Sequence, residues 1–102
     1  MIGIDIVHLV RIKLDTSFKN YALTEDELKE FENKKSDTQR ISYLGGRFAA
    51  KEAIFKATQD KHYLEYSILN DDSGKPYVKD HPEIEISISH DGEYAIAVAL
   101  VK

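Results

Sequence analysis

The chain opens on an alternation, Ile2-Gly3-Ile4-Asp5-Ile6-Val7, with three isoleucines on one face and Gly3, Asp5 and Val7 on the other. That period of two predicts a short strand. Residues 8–20 follow no single period; Leu9, Ile12 and Thr16 or Phe18 are compatible with a short helix. In Leu23-Thr24-Glu25-Asp26-Glu27-Leu28, Thr24 is placed as an N-cap, Glu27 as its capping-box partner and Leu23 opposite Leu28 as a hydrophobic staple. A helix over 25–34 follows, with Leu28 and Phe31 inward. Ser36-Asp37-Thr38-Gln39 repeats the capping pattern and opens a long helix over 37–59. At about 100° per residue, Ile41, Leu44, Phe48 and Phe55 share one stripe of that helix, with Glu52 beside it and Arg47 and Lys51 outside it. Gly45-Gly46 lies mid-helix, where each glycine costs about 1 kcal/mol against alanine, so something is expected to pack close there.

Beyond the long helix, Tyr63 to Leu69 reads as a strand, Asn70 to Pro76 as a turn and Tyr77-Val78 as extended chain. Ile84, Ile86 and Ile88 then alternate with Glu85, Ser87 and Ser89. Asp91-Gly92 signals a type I′ hairpin, after which Tyr94, Ile96, Val98 and Leu100 alternate with Ala95, Ala97 and Ala99. The all-alanine face predicts close approach of the long helix. Strand, helices and strand meander together predict an α+β fold in which a mostly antiparallel sheet packs on the long helix, with residues 1–102 as one domain.

Composition narrows the function classes. A 102-residue chain that is 42% hydrophobic and 31% charged is neither disordered nor collagen-like. It has no apolar run near the roughly 18 residues of a membrane span. It has no cysteine, which removes disulfides, thiolate nucleophiles and cysteine zinc sites together and suits a cytoplasmic location. No leader peptide is expected, because the first residues already belong to a patterned strand. Fourteen basic and eighteen acidic residues give a net charge of −4, against bulk nucleic-acid binding. Arg11, Lys13 and Lys19 nevertheless make a local basic group, either a solvated face or a docking patch for an acidic partner.

Two carboxylates stand in apolar company. Asp5 is the only charge of the first strand, and Glu52 lies beside the buried stripe of the long helix. Each is a structural acid or a ligand: Lys56, four residues after Glu52, would satisfy it as an ordinary helix pair, whereas two such acids sharing one site would suit a hard divalent cation such as Mg²⁺. The four histidines lack metal-ligand spacing, and Ser87 and Ser89 lack the base and orienting acid of a hydrolase triad.

Gly3-Ile4-Asp5-Ile6-Val7, Gly46-Arg47-Phe48-Ala49-Ala50-Lys51-Glu52-Ala53 with Lys56-Ala57, Ser73-Gly74-Lys75-Pro76-Tyr77, and Ser87-Ile88-Ser89-His90 with Tyr94-Ala95 form an ordered series over nearly the whole chain. The series resembles the holo-(acyl-carrier-protein) synthase family, the small 4′-phosphopantetheinyl transferases. The resemblance implies a small phosphopantetheinyl-transferase-like fold and transfer of the 4′-phosphopantetheine arm of coenzyme A to a serine of apo acyl carrier protein, with release of 3′,5′-ADP. It implies Asp5 and Glu52 as magnesium ligands and, with Lys56 beside the diphosphate, as the catalytic group. It implies Arg47 and His90 near the phosphorylated ribose, Lys75 and Pro76 near the adenine, Arg11 with Lys13 and Lys19 toward the acidic carrier protein, and a homotrimer. Family members carry a glycine-rich loop after the long helix, where this chain has Ala57-Thr58-Gln59-Asp60-Lys61-His62-Tyr63. A non-catalytic module binding the carrier protein or coenzyme A stands as the alternative.

Overall fold

The computed structural model describes residues 1–102. Strand β1 (Ile2–His8) leads through a 3₁₀ turn (Leu9–Arg11) into helices α1 (Thr16–Ala22), α2 (Glu25–Glu32) and α3 (Asp37–Thr58). A second 3₁₀ turn (Tyr63–Glu65) precedes β2 (Ile68–Asn70), β3 (Pro76–Val78), β4 (Ile84–Asp91) and β5 (Tyr94–Val101). All pairings are antiparallel, in a three-stranded sheet of order β1-β5-β4 and a separate β2-β3 ribbon. No helix is long and apolar enough to cross a membrane.

Local signals place most of these elements. Thr24 Oγ1 accepts from Glu27 N, and Glu27 Oε1 accepts from Thr24 N, so the capping box forms in full. Ser36 caps α3 through Gln39 N. Tyr63 to Leu69 is mostly not the expected strand: three of its residues form a 3₁₀ turn, and pairing begins only at Ile68. The β4–β5 hairpin also differs, since of its two loop residues only Gly92 takes a positive φ (56°). That is the requirement of a type II′ turn; type I′ needs both.

Close approach between α3 and the sheet organises the core. Ala95, Ala97 and Ala99 are buried along the helix-facing side of β5. Across from them, a Cβ at Gly3 would stand 1.9 Å from Ala53 O and 2.9 Å from Ala57 N. Gly3→Ala is therefore expected to cost about 3 kcal/mol or more, the upper range for overpacked cores. A urea midpoint unchanged by that substitution would contradict this packing. At Gly45 and Gly46 the space is taken by Leu9 Cδ2 (2.3 Å from a would-be Cβ) and by the ring of His90 (3.2 Å).

The sheet leaves one face open, and on α3 the expected burial is reversed. The outer face of β1 carries the isoleucines, with Ile2, Ile4 and Ile6 exposed by 68, 54 and 61%. They stand across from Leu100, Val98 and Ile96 in the pairing register, so the open face is apolar along β1 and β5, while β4 adds Glu85, Ser87 and Ser89 to it. On α3, Arg47 and Lys51 are buried while Ile41, Phe48 and Phe55 are only half-buried. A single-stripe wheel fails because α3 is covered by the sheet on one side and by α2 and the β2–β3 ribbon on another. Lys51 Nζ donates to Glu27 Oε1 (2.5 Å) and to Ala22 O (2.6 Å), and Ile68 N donates to Glu27 Oε2 (2.8 Å). This wholly buried pair ties α1, α2, α3 and β2 together. Burial holds the Lys51 ammonium below its ordinary pKa despite the opposing pull of Glu27.

Candidate functional site

β1 and α3 bring Asp5 and Lys56 together at one edge. Gly3 lets β1 lie against α3, and two residues on, Asp5 projects to the helix side of the strand. Lys56 Nζ sits 3.1 Å from Asp5 Oδ1 and 3.0 Å from Ile4 O. The Lys56 side chain is 53% exposed and that of Asp5 17%, so this is a half-solvated pair contributing about 0–1 kcal/mol. Glu52 lies one helical turn before Lys56.

The ordinary helix pair between Glu52 and Lys56 does not form. Lys56 turns to Asp5, and Glu52 Oε2 instead accepts a 2.5 Å hydrogen bond from the Tyr63 hydroxyl. Burial, then the Glu52 hydrogen bond and charge, raise the Tyr63 phenol well above its ordinary pKa. It therefore stays a protonated donor at neutral pH. Tyr63 carried no sequence motif; the available signal was the brevity of the Gln59–His62 connection, which cannot carry the next hydroxyl far from α3. That connection holds itself. Gln59 ends α3 in the left-handed region (φ 65°) and Asp60 N donates to Thr58 Oγ1, which together turn the chain. Asp60, His62 and Glu65 come within 4.8 Å of one another, but Asp60 is engaged by the backbone and ring of His62.

Arg47 and His90 are brought together. Both line an open polar depression of about 560 Å³ with Lys34, Lys35, Tyr43 and Asn70. Arg47 Nε donates to Ile68 O (2.8 Å), its Nη2 to Asn70 Oδ1 (3.0 Å), and its guanidinium stacks 4.3 Å from the centroid of the Tyr43 ring. The Nε2 of His90 lies 3.0 Å from Ser42 O, so Gly46 makes room for the imidazole against the helix. Arg47 Nη2 also donates to Glu30 Oε1 (3.3 Å), so Arg47 is buried and ion-paired, and Lys34 and Lys35 supply the further positive charge of the recess.

Lys75 and Pro76 open elsewhere within the chain. Asp71 Oδ1 accepts from Ser73 N, Ser73 Oγ and Lys75 N, with Gly74 at φ 89°, which is why NDDSGKP turns as it does. These bonds, the Ser73 hydroxyl foremost, hold the Asp71 carboxyl below its usual range. Lys75 and Pro76 then line a groove of about 510 Å³ with Glu85, Ser87, Ile88 and Leu100, along the β4 side of the sheet.

The basic group divides. Arg11 and Lys13 are exposed, whereas Lys19 is half-buried with its ammonium 5.4 Å from the Phe31 ring centroid. Lys19 thus packs on the α2 layer.

A family model described as the 4′-phosphopantetheinyl transferase superfamily matches residues 1–99. The holo-[acyl-carrier-protein] synthase of Acholeplasma laidlawii is 41% identical over 112 residues, covering 99% of this chain and 94% of that protein. Among solved structures, the Bacillus anthracis holo-(acyl-carrier-protein) synthase in complex with CoA (3′,5′-ADP) superposes with a TM-score of 0.87 at 38% identity, covering 98% of this chain and 93% of the other. The Helicobacter pylori holo-[acyl-carrier-protein] synthase in complex with coenzyme A gives 0.80 at 30% identity, with both chains fully covered.

Proposed function

The chain belongs to the 4′-phosphopantetheinyl transferase superfamily, and from that premise we propose that the edge shared by Asp5, Glu52 and Lys56 carries its chemistry. The reaction moves the 4′-phosphopantetheine group of coenzyme A to a serine hydroxyl of apo acyl carrier protein. A bond forms between serine Oγ and the phosphorus on the pantetheine side, the diphosphate P–O bond breaks, and 3′,5′-ADP leaves. Such a displacement asks for positioning and for neutralisation of charge on the phosphoryl oxygens.

The observation that carries this reading is the ammonium of Lys56 standing against Asp5 one turn from Glu52. It supports an edge that attracts positive charge through the Asp5 carboxylate and the Ile4 carbonyl, to which we add the Glu52 carboxylate one turn away, so that the donors are oxygens alone. That set fits Mg²⁺ held by Asp5 and Glu52. When bound there, Mg²⁺ supplies Lewis-acid neutralisation of the diphosphate. Lys56, half exposed, adds a mobile positive charge for the same oxygens. Glu52 takes the serine proton, directly or through a water it orients. Arg47 and His90, with Lys34 and Lys35, receive the phosphorylated ribose, and Lys75-Pro76 receives the adenine. Arg11 and Lys13 meet the acidic carrier protein, and Lys19 supports that surface.

The apolar surface of β1 and β5 supports self-association, for which we propose the homotrimer that the family resemblance implies. Ile2, Ile4, Ile6, Ile96 and Leu100 are too much contiguous exposed hydrocarbon for a face left in water. Its edge reaches the Lys75-Pro76 groove, so assembly would let one subunit's groove complement a neighbour's recess. Ile4→Lys is expected to convert trimer to monomer in sedimentation and to depress transfer with it; a trimer unaffected by that charge would place the interface elsewhere. We propose the cytoplasm as the working compartment.

The test of the reaction is the intact mass of apo acyl carrier protein after incubation with the protein, coenzyme A and Mg²⁺. The carrier should gain one phosphopantetheine, and chelation with EDTA should stop the gain. Coenzyme A bound without any gain would instead support the non-catalytic module.

A further inference from the structure

The geometry points to Tyr63 as a positioning residue for the transfer: its hydroxyl pins Glu52 Oε2 and leaves Oε1 as the oxygen that serves the reaction. This deepens the proposed function and rests on Glu52 belonging to that site. Three observations carry it. Tyr63 is the side chain that bonds Glu52, at 2.5 Å, because Lys56 is engaged by Asp5. The phenol ring is itself held, buried and edge-on to Tyr21 (5.4 Å) and Phe48 (6.1 Å). The backbone that delivers it is turned by Gln59 in the left-handed region and by the Asp60 N to Thr58 Oγ1 bond rather than by glycines. A glutamate on a helix otherwise samples several rotamers, and a misplacement of about 1 Å costs on the order of a hundredfold in rate. The glycine-free connection thus orients one acid of the site, a task it performs from within the same chain.

Tyr63→Phe keeps the ring and removes only the donor. Tyr66→Phe removes the neighbouring hydroxyl, which bonds Asp60 and not Glu52, and serves as control. We expect Tyr63→Phe to lower kcat about tenfold with KM for coenzyme A unchanged. It should also weaken Mn²⁺ binding severalfold, read by electron paramagnetic resonance on the free protein, while Tyr66→Phe matches the parent in both. Tyr63→Phe indistinguishable from Tyr66→Phe in kcat and Mn²⁺ affinity would overturn the role of Tyr63. Glu52→Gln that keeps both rate and Mn²⁺ affinity would instead overturn the placement of Glu52. On the unsubstituted protein, substoichiometric Mn²⁺ should broaden the ring proton signals of Tyr63 before those of Tyr66; the reverse order contradicts the assignment without any variant having to fold.

Discussion

Asp5→Asn is expected to reduce phosphopantetheine transfer by on the order of a hundredfold or more, since even partners outside a metal's own ligands cost about 10–100-fold when lost. Asparagine preserves shape and removes the charge that draws both the Lys56 ammonium and a divalent cation to this edge. Stability should move by less than about 1 kcal/mol, because the Asp5–Lys56 pair is half solvated. Turnover by chromatography of released 3′,5′-ADP and a urea denaturation curve separate the two quantities. A variant with near-parental turnover would mean that Asp5 only anchors Lys56.

The largest stability effect is expected on the other side of α3. Lys51→Met leaves the Glu27 carboxylate wholly buried without its counter-ion, a situation that costs about 3–5 kcal/mol. Against the 5–15 kcal/mol total of a typical domain, that is roughly a third or more. The double variant Glu27→Gln with Lys51→Met should recover part of the loss, because no charge is then left buried, although the single amide oxygen can accept from only one of Thr24 N and Ile68 N. Equilibrium unfolding of the parent, both singles and the double gives the coupling directly. Additive losses, or a Lys51→Met loss below about 1 kcal/mol, would show that the pair is dispensable.

Legibility in the sequence followed the range of the interaction. The Thr24–Glu27 box, the Ser36 cap and the alanine face of β5 depend on neighbours a few residues apart or on strict alternation, and they were readable. What covers α3 depends on elements distant in sequence. Lys51 and Arg47 looked solvent-facing because nothing local reveals that Glu27, Ile68 and Asn70 fold over them. The alternation of β1 put its isoleucines on one face, but which face meets α3 depends on the Gly3 contact with Ala53 and Ala57, so the isoleucine face lies open. At the site, the motif residues Asp5, Glu52 and Lys56 were named from the sequence, but the bonding among them was not: Lys56 chose Asp5, and Tyr63, outside every motif, took Glu52.

The account stands on two carboxylates, one from β1 and one from α3, sharing a single divalent cation. Mn²⁺ titration of the parent, Asp5→Asn, Glu52→Gln and the double variant by electron paramagnetic resonance addresses this with no turnover involved. One bound ion per chain is predicted for the parent, a large loss of affinity in either single variant, and no further loss in the double. Retained tight binding in both single variants, or losses that simply add in the double, would contradict it.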